Sequence, residues 1–181
     1  MFEMDINISL DKCTRLNNTY TLYYHNPNEN SWELSSYNEI ISFNTLEEFW
    51  IINKFVSKDM VDNGMFFLMI DGILPIWEDE NNISGGNMSW KLDKKYAYKY
   101  WLDSIIYFIT DNLLDDKNNI NINGISISPK KNSNIIKIWT KQDVIDLDRI
   151  NMNKSFELNN IKPIYKANKL NIERDKAKYE K

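Results

Sequence analysis

Between Asp93 and Ile109 the apolar side chains recur with a helical period over a wide arc. Trp101, Ile105 and Phe108 fall on one stripe, and Leu102, Ile106 and Ile109 fall on the stripe beside it. A helix this apolar needs a broad partner, and the face of a sheet is wide enough to cover it. Strands for such a sheet are legible on both sides. Thr19–Tyr24 is rich in β-branched and aromatic residues, a second strand lies near Glu39–Phe43, and Met65–Ile70 is a continuous apolar run of buried-strand length. Asp71-Gly72 turns that run toward Ile73–Trp77, where Pro75 implies an edge or irregular strand. Met88–Leu92, a hairpin of Ile125–Ser128 and Ile135–Thr140, and a last strand near Pro163–Lys166 complete the set.

Two more helices are predicted. Asn44 and Thr45 stand at capping-box spacing from Glu47 and Glu48, and the helix that follows carries Leu46, Phe49, Trp50 and Asn53 on one face. The other runs roughly over Asp143–Phe156, with Val144, Leu147 and Ile150 apolar. The expected fold class is α+β: a cupped antiparallel sheet of about eight strands with three helices packed on its convex face. Residues 1–15 show no sustained period and read as a short N-terminal arm, which leaves 16–181 as a single domain.

Composition narrows the function. The chain of 181 residues is 43% hydrophobic and 27% charged, as a globular protein is, and no stretch approaches the roughly 18 apolar residues that span a bilayer. Its acidic beginning, Met1-Phe2-Glu3-Met4-Asp5, lacks the basic and apolar parts of a secretory signal, so an intracellular setting is expected. With one cysteine (Cys13) and one histidine (His25), an intrachain disulfide, a multi-cysteine metal site and a paired-histidine site are all excluded, and no metal or cofactor is expected. The same scarcity leaves no nucleophile–base couple to draw. A glycosidase-like pair of Glu78 and Asp71 beside tryptophan platforms is the alternative enzyme reading, but nothing fixes its separation, so the chain is read as a non-enzyme. A net charge of −4 disfavours a protein that coats nucleic acid, while still allowing a local site for one nucleotide. The abundant asparagines, as in 118–123, read as AT-rich coding bias in loops rather than as chemistry.

Six tryptophans, ten tyrosines and eight phenylalanines exceed the needs of one core. Trp90, Trp101, Tyr20 and Tyr23 are assigned to that core, and His25 to a loop without chemistry. Trp32 follows the turn-rich His25–Ser31 and Trp77 precedes Glu78-Asp79-Glu80, so both stand in loops. On the residues alone these are either partly buried packing or two walls of a slot for a flat ligand, and the acids either a solvated turn, a metal site or the floor of that slot. A cationic ring between two indoles gains about 2 kcal/mol when desolvated. A carboxylate would then accept the paired N–H donors of a guanine edge, and Lys130 and Lys131 would meet attached phosphates. The parts describe a reader of a methylated purine nucleotide.

Several segments carry a resemblance: Leu16-Asn17-Asn18 through Trp32, Phe43–Trp50, Asp71-Gly72-Ile73-Leu74-Pro75-Ile76-Trp77-Glu78-Asp79-Glu80, Gly85-Gly86, Tyr100-Trp101-Leu102-Asp103 and Ile138-Trp139-Thr140. In order and spacing, from about Leu16 to Thr140, the chain resembles the cap-binding translation initiation factor 4E family. The resemblance implies that Trp32 and Trp77 sandwich the 7-methylguanine of an mRNA cap, that Glu78 bonds the base edge, and that Trp139 lies near the methyl group. It implies a second, dorsal surface of Leu46, Trp50, Leu102 and Ile106 that receives a partner helix with a Tyr-x4-Leu-apolar motif. It further implies a cytoplasmic role in translation initiation (in the host cytoplasm if the chain is viral). The alternative is a repressor or decoy acting through the dorsal surface with weakened cap affinity. The chain departs from the family where Asn87 replaces the basic residue after Gly-Gly, and where Thr14-Arg15-Leu16 replaces His-Pro-Leu. In the phosphate hairpin Lys130 takes the arginine position, Asn132 and Ile135 take the two lysine positions, and Lys131 is displaced by one. The phosphate grip is therefore expected to be weaker or rerouted, through Lys131, Lys137 or the tail lysines.

Overall fold

The computed structural model describes residues 13–114, 121–144 and 152–179. Seven strands among them form one sheet in which every neighbouring pair is antiparallel. They are β1 (Arg15–His25), β2 (Tyr37–Thr45), β3 (Met65–Ile70), β4 (Gly86–Asp93), β5 (Ile122–Pro129), β6 (Ser133–Thr140) and β7 (Ile164–Ala167), arranged β2-β1-β3-β5-β6-β4-β7. Period-two alternation sends their side chains to two different cores. Leu22, Phe66, Leu68, Ile125, Ile127, Ile136 and Ile138 join the main core, whereas Tyr23, Met65, Phe67, Met69 and Trp139 build a smaller cluster with Ile73.

Helices α1 (Leu46–Phe55), α2 (Lys58–Asn63) and α3 (Lys94–Ile109) cover the first of these faces. The predicted capping box holds α1: Glu48 N–H donates to Thr45 Oγ1 at 3.2 Å, and Thr45 N–H donates back to Glu48 Oε2 at 3.1 Å. Asp93 caps α3 by accepting from Lys95 N–H at 2.9 Å. From α3, Ala97, Trp101, Ile105, Phe108 and Ile109 are buried, as its wide apolar arc requires. The face expected for α1 is only partly right: Phe49 and Ile52 are buried, while Trp50 is turned outward.

Other expectations are corrected. Ile73–Trp77 is loop, because its backbone is satisfied by side chains instead of a ladder. Leu74 N–H donates to Asp79 Oδ2 at 3.1 Å, and Asn82 Nδ2 donates to the carbonyls of Leu74 and Ile76 at 2.8 and 2.9 Å. Half of the helix predicted over 143–156, residues 145–151, lies outside the described residues. At its ends, Asp143 and Val144 are irregular and Met152 forms an isolated bridge with Leu114. The third helix on the core side is instead the short α2, capped by Ser57 and contributing Val61. A fourth, α4 (Asn168–Tyr179), follows β7 where only a charged tail was expected. The end of the predicted arm is tied down: Thr14 N–H donates to Glu47 Oε2 at 2.8 Å, and Arg15 already belongs to β1.

Candidate nucleotide-binding site

On the sheet face opposite α1–α3 a cleft of about 340 Å3 opens, within the range of small-ligand sites. Its floor is aromatic. Trp139 is buried on β6, its indole N–H donates to Ser126 Oγ at 3.0 Å, and its ring meets the edge of Phe67. Tyr37 packs edge-on against Phe67 from β2, and its phenol is held far above its usual range by burial and then by the charge of Glu78. Glu78 and Tyr37 thus share the cleft.

The two loop tryptophans form its mouth. Trp32 is 55% exposed and stacks on His25, ring centroids 4.5 Å apart and planes 10° from parallel. His25 is fully buried, closes β1, and shares a 2.9 Å hydrogen bond between its Nε2 and the Ser31 carbonyl. It is therefore not the inert loop residue the sequence suggested. Trp77 is half-buried against the Trp139–Phe67 cluster, and the Lys137 ammonium lies 5.9 Å from its ring centroid. Neither indole is lost to the interior; Trp32 is paired with a ring and Trp77 with a cation, both from the protein itself.

A chain of buried amides holds the Trp77 loop in place, and composition had dismissed it as coding bias. Asn123 Nδ2 donates to Asn82 Oδ1 (3.0 Å) and to the Asn81 carbonyl (2.7 Å); Asn168 Nδ2 donates to the Asn82 carbonyl (2.7 Å). Asn82, Asn87, Asn123 and Asn168 are all buried. The signal that could have found them is their position, beside Gly85-Gly86 and at strand ends, where free backbone groups need amide partners. The glycines are required too: a Cβ on Gly85 would lie 1.7 Å from the Thr140 carbonyl oxygen, so no side chain fits.

Of the residues expected in the site, Trp32, Trp77, Glu78, Trp139 and Lys130 line the cleft together. Two do not. Asn87 is on the same sheet face, but its amide donates to Asn168 Oδ1 at 2.7 Å and is sealed under α4. Lys131 is exposed at the hairpin tip, off the cleft lining. Lys137 and Arg174 line the cleft. Lys137 was one of the residues to which a rerouted phosphate grip was assigned, and alternation along β6 supports it, since Ile136 and Ile138 face the core; Arg174 was missed because α4 was. The carboxylates Asp71 and Glu78 are not brought together: Asp71 accepts from Thr21 Oγ1 at 2.7 Å, away from the cleft lining.

The family model described as eukaryotic initiation factor 4E matches residues 15–181. The chain belongs to the eukaryotic initiation factor 4E family. Among relatives of this 4E family, the eukaryotic translation initiation factor 4E of Candida albicans is 30% identical over 136 residues, covering 70% of this chain and 64% of that protein. The chain thus spans less than two thirds of that relative's length. The same fold is found in the crystal structure of Ascaris suum eIF4E-3 complexed with m2,2,7G cap (TM-score 0.65, 23% identity, 74% of this chain and 77% of that one). It is also found in the complex of C. elegans eIF4E-3 with the 4E-binding protein Mextli (TM-score 0.69, 19% identity, 87% and 94%).

The dorsal residues lie on the helical side. Leu46, Leu102 and Ile106 are partly buried against the main core, and Trp50 is 42% exposed over Phe49, with ring centroids 5.1 Å apart.

Proposed function

We propose that this 4E-family chain binds the 7-methylguanosine cap of mRNA and acts in translation initiation. The observation that carries the proposal is the meeting of Trp32, Trp77 and Glu78 on one cleft with an aromatic floor. Two indoles attract a ring that carries positive charge, and a carboxylate at the same site selects a base edge with paired donors. Family membership and the cap bound by the Ascaris suum neighbour support the same ligand. In this reading the chain binds and does not catalyse, residues 16–181 form a single cap-binding domain behind a short arm, and the protein works in the cytoplasm.

The exposed Trp50, with Leu46 on the same helix and Leu102 and Ile106 on α3, is proposed to receive a partner helix. The C. elegans neighbour, held with a 4E-binding protein, supports such a partner.

Retention on immobilised 7-methyl-GTP tests the proposal. The protein is expected to stay bound in excess GTP and to elute in free 7-methyl-GTP. Elution by both nucleotides at equal concentration would remove the methyl-dependent charge from the explanation.

A further inference from the structure

Strand β6 sends Ile136 and Ile138 into the main core and Ile135, Lys137 and Trp139 to the cleft. Lys137 is therefore a cation planted in the cleft wall, with Ser126 of β5 and Ser89 of β4 as its Cα partners. An ammonium withdrawn from water is costly unless an anion compensates it. Among the described residues no carboxylate lies within 4 Å of its Nζ, and Asp175, which also lines the cleft, stands 3.7 Å from the Arg174 guanidinium instead. The Trp77 ring, at 5.9 Å, is at the outer limit of cation–π contact and compensates little.

The neighbours make the deficit worse. Lys130, Lys166 and Arg174 all repel Lys137, and burial with this repulsion pushes its ammonium down to about 8. Lys130 and Arg174 line the same cleft, so three elements (the β5–β6 turn, β6 and α4) deliver positive charge to one site. Such a cluster is complementary to a ligand with several adjacent negative charges. Meanwhile the hairpin tip has turned away: Lys131 and Asn132 are exposed and do not line the cleft.

We propose that Lys137, with Lys130 and Arg174, grips the phosphate chain of the nucleotide whose base enters between Trp32 and Trp77. The phosphates are then held by the cleft wall, α4 and the first residue of the β5–β6 turn, and not by Lys131 beyond it. This assignment rests on the cap-binding reading above and names the residues that complete it.

The test is an affinity series with 7-methylguanosine, 7-methyl-GMP and 7-methyl-GTP, read by tryptophan quenching for the wild-type protein, Lys137→Met, Lys137→Arg and Lys131→Ala. In wild type the affinity should climb with each added phosphate. In Lys137→Met the ratio of triphosphate to nucleoside affinity should fall about 10-fold or more, the size of one charge-assisted contact, and Lys137→Arg should restore most of it. A melting curve confirms that the methionine variant is folded. If the ratio survives in Lys137→Met, or is lost in Lys131→Ala instead, the assignment is overturned while cap binding stands. If the wild-type protein binds none of the three ligands, the cap reading itself fails and takes the assignment with it.

Discussion

His25 lies face to face with Trp32, the two ring planes within 10° of parallel at a centroid separation of 4.5 Å. One face of the indole is thereby covered, so a ligand that stacks on Trp32 as it stands must use the other. His25 becomes the backing of the outer wall, and Tyr37 steadies it edge-on at 4.9 Å. Removing the imidazole in His25→Ala should weaken 7-methyl-GTP binding about 2- to 10-fold, the worth of one aromatic pair. A titration that shows tighter binding would mean that His25 and the ligand compete for the same face.

Asn82 ties the Trp77 loop at three points, donating to Leu74 and Ile76 and accepting from Asn123. Asn82→Ala leaves two loop carbonyls and the Asn123 amide short of a partner in a buried place. The expected loss is about 1–3 kcal/mol of stability in denaturant titration, with a fall in cap affinity because Trp77 is no longer held. Unchanged affinity in the folded variant would show that the loop finds its conformation without this amide.

Lys137 offers a prediction with a definite sign. Its folded-state pKa of about 8 lies below the 10.5 of the free side chain, so between these values the unfolded chain binds more protons than the folded one. The penalty for burying the charge is complete below pH 8 and gone above 10.5. In the absence of ligand, Lys137→Met should therefore be more stable than wild type at pH 7, by about 1–3 kcal/mol, with the gap closing as pH rises toward 10.5. Melting curves of the pair across this window check both the sign and the range; a variant less stable at pH 7 would mean that the ammonium is already compensated.

Trp50 is large, aromatic and 42% exposed, packed on Phe49 beneath it. Such a residue is the usual anchor of an interface. Trp50→Ala should reduce affinity for a Tyr-x4-Leu-apolar helix by about 2 kcal/mol or more, measured calorimetrically, and should leave retention on 7-methyl-GTP as it was. Equal helix binding by the variant would move the partner surface elsewhere.

What was legible in the sequence follows from how local each signal is. The Thr45–Glu48 box is written within three residues of the backbone it serves and is found as read, and the helical pattern that opens at Asp93 begins with Asp93 as its cap. Trp32, Trp77, Glu78 and Lys130 sit in loop or turn segments whose context betrayed them, and they meet in one cleft. The amide network was hidden because its contacts join residues 41 and 86 positions apart, and an asparagine carries no period that marks it as buried. Helix α4 was hidden for a related reason. It is polar nearly all round, and it is anchored by the burial of Asn168, Asn171 and Ile172 rather than by an apolar stripe. Asn87 was placed in the site by a family pattern whose basic chemistry it does not share, and Lys131 by its charge in a hairpin turn, which does not say which way the turn faces. One is consumed by Asn168, and the other stands in solvent.

Titration of the intrinsic tryptophan emission with 7-methyl-GTP and with GTP, in wild type, Trp32→Ala and Trp77→Ala, decides whether the two indoles clamp a methylated base. Strong quenching by the methylated nucleotide, far weaker binding of GTP, and loss of the methylated ligand in both variants is the result this account requires. Equal affinity for the two nucleotides, or full affinity retained after either indole is removed, would contradict it.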